Sequence, residues 1–387
     1  MHDHHINKFG SIAIVVGAPI LTILCQLYLH SNFNITGSTE GDGHLLYYWI
    51  VLQAILFYYI PGKQCYGGIT PSGEKLKYNI NGMVIYPITF IIPMMFDIDI
   101  VGNWGSLFMF ANLYGLTSSL LVYLKGCYVT GEYGSIHGFY AGTELNPRIG
   151  DFDIKLFTNS RIGMMSWPLI NNLYVAQFYR LNGYVPNSMI LCVFLQSLYI
   201  IDFFYNEEWY LKTIDIAHDH FGFMMSWGCS VWLPFMYTLQ IQYLYYNPIS
   251  LNLGYLIFVG LFGLLGYGIF RIANDQKDAI RNHPKLGDHI QAVYTTKDGV
   301  EHQTRLVCAG LWKYSRHCNY FGDMILSLAM CLSCGTYNIV PYFYFIYMTV
   351  LLIHRSERDN HKCQHKYGKA WEIYTTKVPY KIIPFVY

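Results

Sequence analysis

Four acids and two histidines crowd the stretch "YNEEWYLKTIDIAHDHFGF" (residues 205–223): Glu207, Glu208, Asp215 and Asp219, with His218 and His220. It lies between two strongly apolar runs, "NSMILCVFLQSLYIIDFF" and "GFMMSWGCSVWLPFMYTLQ". Helical spacing predicts that Glu208, Asp215 and Asp219 share one face, at i, i+7 and i+11. Like charges on one stripe repel unless they meet water, a cation or a shared proton. A carboxyl desolvated at a membrane boundary keeps its proton to higher pH, which suits a proton donor near neutrality. The plainer reading is a wet loop whose acids are solvated; acids inside an apolar environment favour function.

Cations form a second group. In "GYGIFRIANDQKDAIRNHP", Lys277 and Arg281 are i, i+4 neighbours at the polar end of an apolar run. They make a paired grip suited to phosphate, or else the ordinary basic flank of a membrane helix. In the tail "LLIHRSERDNHKCQHKYGKAWEIYTTKVPYKIIPFVY", Arg355, Asp359, Lys362 and Lys366 fall on one stripe. Tyr367, Trp371 and Tyr374 offer flat surfaces for stacking, and "LWKYSRHCNYFGD" adds Trp312, Arg316, His317, Asn319 and Tyr320. Together these groups could clasp a nucleotide. The segment "GTELNPRIGDFDIKLFTNSRIGMMSW" carries Glu144, Asn146, Arg148, Asp151, Asp153, Lys155 and Arg161, read first as ion pairs that pin a bent loop. No GxGxxG, GxxxxGK[ST], HExxH or GxSxG occurs, so any dinucleotide must be held in another way. The N-terminal "HDHH" could bind a metal weakly but reads first as a mobile tail, and no metal site is expected.

These groups must be positioned by membrane helices. Of 387 residues, 53% are hydrophobic and 13% charged, where a soluble domain carries roughly 25% charged residues. Ten spans emerge, near 11–29, 45–60, 82–98, 104–124, 164–181, 187–205, 222–246, 251–270, 320–335 and 339–354. The reading is one all-α integral-membrane domain over 1–387, with N-terminal helices and a loop in 1–160 and the substrate and cofactor half in 161–387. The loops near 30–44, 99–103, 182–186, 247–250 and 335–339 contain no Lys or Arg, with Arg180 at one edge. That bias predicts a cytoplasmic C-terminus and a cytoplasmic cofactor site. The formal charge of +1 and the lack of a basic domain give no sign of nucleic-acid binding. The ten cysteines lie mostly in apolar runs, so a disulfide framework is not expected.

The blocks "PGKQCYGGITPSGEKLKYNINGM", "GTELNPRIGDFDIKLF", "DFFYNEEWYLKTIDIAHDHFGF", "WLPFMYTLQIQYL", "YGIFRIANDQKDAIR", "GLWKYSRHCNYFGD", "PYFYFIYMTVLLIHRSERD" and "CQHKYGKAWEIYTTKVPYKIIP" resemble the sterol reductases of the endoplasmic reticulum. They run in family order over most of 60–387, and "WYLKTIDIAHDHFG" is similar to the delta-7 branch. The resemblance implies NADPH-dependent reduction of the C7=C8 bond of a 5,7-diene sterol drawn from the bilayer, by proton then hydride transfer. It implies cofactor contacts at Lys277, Arg281, Val307, Trp312, Asn319, Tyr320, Asp359, the run from Cys363 through Lys366 to Tyr367, and Tyr374. It also implies a functional pair in Arg355 and Asp359, and a sterol-side acid at Glu207, which is expected to supply the proton, assisted by Asp219 or Tyr374 through a hydrogen-bonded relay. The chain departs from the family pattern at Lys313, where glycine is expected, at Ile280, where an aromatic is common, and at "RIG" (161–163).

Three other readings accompany this one. A delta-14 reductase is the nearest. A membrane methyltransferase of the isoprenylcysteine type shares the C-terminal blocks but lacks counterparts of "ELNPRIG" and "YLKTIDIAHDHFG". A sterol sensor would keep an apolar pocket without needing Lys277, Arg281, Arg355 and Asp359 together.

Overall fold

The computed structural model describes residues 8–30 and 42–387. The "HDHH" tail and most of the 30–44 loop lie outside the described residues. The Cα trace divides into two compact units. The first comprises residues up to Thr70 together with Glu74–Pro248, and the second Pro71–Gly73 together with Ile249–Tyr387.

The first unit begins with α1 (Lys8–Leu29), α2 (Leu45–Tyr59), the hairpin β1 (Lys63–Ile69) and β2 (Lys75–Ile80), α3 (Gly82–Met94) and α4 (Trp104–Thr130). It continues through α5 (Ile136–Ala141), the short ribbon β3 (Arg148–Ile149) and β4 (Phe152–Asp153), and α6 (Ile154–Leu156). A wide π-helical turn over Phe157–Met164 leads into α7 (Met165–Asn182). Then come α8 (Asn187–Tyr205), α9 (Glu207–Tyr210), α10 (Ile214–Ala217), α11 (Phe223–Trp227), a second π turn (Gly228–Trp232), α12 (Leu233–Met236) and α13 (Leu239–Tyr246).

Buried amides join these helices, as an apolar environment requires of every polar group it encloses. Trp104 Nε1 donates to Gln26 Oε1 at 2.7 Å, and Gln26 Nε2 to the Phe235 carbonyl at 3.1 Å. Trp167 Nε1 and Asn171 Nδ2 both donate to Gln196 Oε1.

The second unit is built on α14 (Leu253–Asn282), started by the Asn252 side chain, which accepts from the Tyr255 N–H at 2.9 Å. Thirty residues span about 45 Å, more than the ~30 Å hydrocarbon core. The polar turns after residue 270 therefore project beyond the bilayer. The hairpin β5 (His289–Thr295) and β6 (Glu301–Val307) follows, paired from His289↔Val307 to Thr295↔Glu301. The unit closes with α15 (Cys318–Leu332), α16 (Phe343–Tyr367) and α17 (Lys369–Lys377). Helices α14 and α15 cross backbone to backbone at two glycines. A Cβ on Gly266 would lie 2.6 Å from the Leu326 nitrogen, and one on Gly322 2.5 Å from the Phe270 nitrogen.

Four helices are long and apolar enough to cross a membrane among the described residues: α1, α4, α8 and α14. Helices also occupy the other expected spans, but the run 222–246 is broken into three short helices and a π turn. Pro234, which lacks an N–H, and Gly228 sit at those joints. The all-α expectation needs correction, since three two-stranded hairpins are present among the described residues. All ten cysteines are free thiols, including Cys331 and Cys334, which are spaced C-x-x-C and buried.

Candidate active site

In the second unit, α14 continues helically to Asn282, so Lys277 and Arg281 do sit one turn apart. The Lys277 ammonium lies 4.4 Å from the centroid of the Trp312 ring. Trp312 is buried and donates its indole N–H to the Ala273 carbonyl at 2.7 Å. The turn carrying it is held by Gln276, whose Oε1 accepts from the Leu311 N–H at 2.9 Å. Val307, at the end of β6, packs with Ala273, Ile280, Trp312 and Cys318. Ile280 therefore fills the wall of this cluster, while Lys313 is exposed and lies over the Tyr314 ring.

The α16 stripe is realised as one helix through Tyr367. Lys366 Nζ lies 3.6 Å from the centroid of Tyr294 and 5.3 Å from that of Tyr367. Burial lowers the Lys366 ammonium from its ordinary value. Burial first, and then Arg281, bring the Lys277 ammonium down to about 8. Lys277, Arg281 and Lys366 make no carboxylate ion pair among the described residues. Lys277 and Lys366 are partly buried and Arg281 is exposed, and Asp359 is the one acid whose charge is felt at both lysines, so the group carries a surplus of positive charge that suits a polyanion.

Tyr320 stacks on His317 at 4.7 Å and 9°. His317 Nε2 lies 3.6 Å from Asp359 Oδ2, yet burial lowers this imidazole to about 4, so it is neutral at pH 7. Asn319 Nδ2 donates to Asn274 Oδ1 at 3.3 Å, while Asn319 Oδ1 is buried without a partner among the described residues. Burial pushes the Cys363 thiol up to about 12 and raises the Tyr374 hydroxyl, so both stay protonated at neutral pH. Tyr374 is buried beside Trp371, ring to ring at 5.1 Å. Arg355 and Asp359 occupy successive turns of α16. The sequence-named cofactor residues thus come from the polar end of α14, the strand β6, the turn before α15, and α16 and α17, all within one unit.

Glu207 and Asp219 belong to the other unit. The single acidic stripe expected over 208–219 is not formed. The segment folds as α9, a turn and α10, so Glu208, Asp215 and Asp219 share no continuous helix. Contacts from upstream segments impose this path. Lys155, fully buried, donates through Nζ to the carbonyls of Ile216 at 2.9 Å, Asp219 at 2.5 Å and Leu145 at 3.2 Å. Asn146 Nδ2 reaches the Ile216 carbonyl at 3.3 Å. Gly142, at φ +95°, lies so close that a Cβ would sit 2.4 Å from the Phe221 carbonyl carbon. Burial lowers the Lys155 ammonium to about 8, against the pull of Asp153, Asp219 and Asp215.

Glu207 is buried and bound to Arg161, with Nη1–Oε1 at 2.6 Å and Nη2–Oε2 at 3.3 Å. Its Oε2 also accepts from the Gly82 N–H at 2.9 Å. Arg161 reaches Asn81 Oδ1 at 2.8 Å and lies over the Phe57 and Phe204 rings. The "RIG" departure therefore lies in the π turn that carries the partner of Glu207. Glu208 instead pairs with Lys63 at 2.6 Å, which holds its carboxyl below the usual range. Among the loop pairs, Lys125–Glu144 and Arg148–Asp153 close at 2.6 and 2.9 Å, whereas Lys155 binds carbonyls.

Sequence reasoning missed Tyr294 beneath Lys366, because the β5–β6 hairpin was not foreseen. It also passed over Asp323, a buried carboxyl on α15.

The chain matches the ergosterol biosynthesis ERG4/ERG24 family over residues 7–387. It is 44% identical over 364 residues to a probable 7-dehydrocholesterol reductase of Acanthamoeba polyphaga mimivirus, covering 88% of this chain and 81% of that one. It is 42% identical over 369 residues to the 7-dehydrocholesterol reductase of Xenopus laevis, covering 88% and 77%. It is 37% identical over 360 residues to the delta(14)-sterol reductase of Methylotuvimicrobium alcaliphilum, covering 88% and 82%. The match takes in the acidic segment of the first unit as well as the cationic, aromatic cluster of the second. The chain belongs to the ERG4/ERG24 family of sterol reductases, membrane oxidoreductases of sterol biosynthesis.

Proposed function

We propose that this sterol reductase uses NADPH to saturate the C7=C8 bond of a 5,7-diene sterol, from a cofactor site on the cytoplasmic side of the endoplasmic reticulum membrane. The observation that carries the cofactor reading is the cluster of Lys277, Arg281 and Lys366, set against Trp312, Tyr294 and Tyr367 with no direct carboxylate ion pair among the described residues. Cations and flat rings side by side suit a phosphate-bearing dinucleotide. The delta-7 reading is supported by the two 7-dehydrocholesterol reductase relatives above, at 44% and 42% identity against 37% for the delta(14) enzyme.

NADPH supplies a hydride. An alkene accepts a hydride only after protonation, and protonating a conjugated diene gives an allylic cation. Within the cluster, Lys277, Arg281 and Lys366 bind phosphate oxygens, and Asn319 Oδ1 accepts a hydrogen bond. Tyr374 holds a proton on a buried hydroxyl, and we assign to it the protonation of the diene. Arg355 and Asp359 are assigned to orienting the reacting ends. Glu207, with both oxygens engaged, is assigned as the fixed partner of Arg161 in the acidic segment, and Asp219 is assigned as a residue whose backbone is fixed by Lys155.

Membranes containing the chain, NADPH and a 5,7-diene sterol should lose the diene's ultraviolet absorbance, and a delta-14 sterol offered in parallel should turn over more slowly. Preferential reduction of the delta-14 sterol would move the chain to the other branch of the family. No NADPH-dependent loss of either substrate would remove the reductase reading.

A further inference from the structure

The β5–β6 hairpin brings a second arginine to the polar end of α14. Its register pairs Gln291 with Arg305 and His289 with Val307, so Arg305 and Val307 project from the same face of β6. Val307 packs on Ala273 and Ile280 of α14, which sets Arg305 against the end of that helix. There the two arginines clasp each other's backbone. Arg281 Nε donates to the Arg305 carbonyl at 3.4 Å, and Arg305 Nη1 donates to the Arg281 carbonyl. Among the described residues neither guanidinium pairs with a carboxylate, and Arg281 Nη1 and Nη2 and Arg305 Nη2 make no hydrogen bond. The orphan carbonyls at the end of α14 account for one donor of Arg305, but not for a second positive charge beside Arg281. Like charges side by side repel, and an anion shared between them removes that cost.

We propose that Arg305 and Arg281 together hold a phosphate monoester, the 2′-phosphate that distinguishes NADPH from NADH. This assignment rests on the cofactor reading above, and it makes Arg305 the residue that selects between the two dinucleotides. Position along α14 supports it. Lys277 is partly buried against Trp312, whereas Arg281 lies one turn farther out and is exposed. The nicotinamide must reach a sterol in the bilayer, so the adenosine end, which bears the 2′-phosphate, lies outermost. Charge supports it as well. Lys277, Arg281 and Lys366, offset by Asp359, already match the pyrophosphate that NADH and NADPH share. The monoester adds a charge of about −1.5 to −2 at pH 7, and Arg305 brings a further cation whose planar fork fits phosphate oxygens.

The test is calorimetry on the full chain in detergent without sterol, with NADPH and NADH titrated separately. The wild-type chain should bind NADPH more tightly by about tenfold or more, the worth of a charge-assisted hydrogen bond. Arg305→Gln, which keeps a donor for the Arg281 carbonyl and loses the charge, should weaken NADPH about tenfold and leave NADH unchanged. Arg305→Lys should restore most of the preference. A role confined to capping α14 would instead lower the melting temperature and weaken both dinucleotides alike. That result, or a preference that survives Arg305→Gln, would overturn the assignment. Should Arg305→Gln not fold, the wild-type chain still decides: 2′,5′-ADP should slow hydrogen exchange in β5 and β6 more than 5′-AMP does, and equal protection by the two would overturn it. A wild-type chain that binds neither dinucleotide removes the cofactor reading and this site with it, whereas one that binds both equally keeps that reading and loses only this site.

Discussion

At the scale of single residues, Lys277 is a group in the cationic cluster whose charge is poised to change near physiological pH. Its ammonium sits at about 8 because burial and Arg281 both oppose the charge. Bound phosphate favours the protonated form, so affinity is full below pH 8 and falls as pH rises through it. NADPH binding followed by calorimetry should weaken about tenfold between pH 7 and pH 9, and Lys277→Arg should flatten that dependence. The Arg161–Glu207 pair makes a different prediction. Both side chains are almost fully buried, so removing one partner strands the other. Arg161→Met should cost about 3–5 kcal/mol, read as a lower melting temperature, and Arg161→Met with Glu207→Leu should recover part of that loss. Equal melting temperatures for wild type and Arg161→Met would show that the pair contributes nothing to the fold.

At the scale of elements, the polar turns of α14 that carry Lys277 and Arg281 are steadied by the crossing of α14 and α15. That crossing depends on the absence of side chains at Gly266 and Gly322, since backbone occupies the space a Cβ would need. Gly266→Leu should separate the helices, with a loss of about 3 kcal/mol from overpacking. The expected readout is faster hydrogen exchange in α15 and weaker NADPH binding, although residue 266 lies far along α14 from the cofactor cluster. The acidic segment shows the reverse relation between element and environment. Its local sequence favours one helix, yet the three carbonyls gathered by Lys155 and the Gly142 contact with Phe221 bend it into two short ones. Three hydrogen bonds from a buried ammonium outweigh the few tenths of a kcal/mol that i, i+4 side-chain pairs supply.

At the scale of the whole molecule, the distribution of basic residues predicts which ends of the helices face the cytosol. Tyr337, between α15 and α16, and Leu286, after α14, are both well exposed, at 93% and 65%. The native thiols are buried or partly buried among the described residues, so cysteines introduced at these two sites should dominate labelling. In sealed vesicles with the cytoplasmic face outward, an impermeant maleimide should label Leu286→Cys and spare Tyr337→Cys until detergent is added. Labelling of both without detergent would undo the orientation. The same orientation would place the polar extensions of α14 and α16, with the cationic cluster they share, on the cytosolic side.

The sequence alone determined the membrane class, the position of most of the long helices and the grouping of cations with aromatics. Each of these follows from local rules: apolar runs must leave water, and residues three, four and seven apart on an unbroken helix share a face. That is why Lys277 with Arg281, and Asp359 with Lys366, were legible on α14 and α16. Tertiary structure decided what depends on partners far along the chain. Glu207 meets Arg161, 46 positions away, Lys155 gathers carbonyls from two separate segments, and Lys366 rests on Tyr294 of a hairpin that helical periodicity concealed. No window of sequence contains both halves of such contacts, and a buried charge takes whichever partner the assembled fold brings to it.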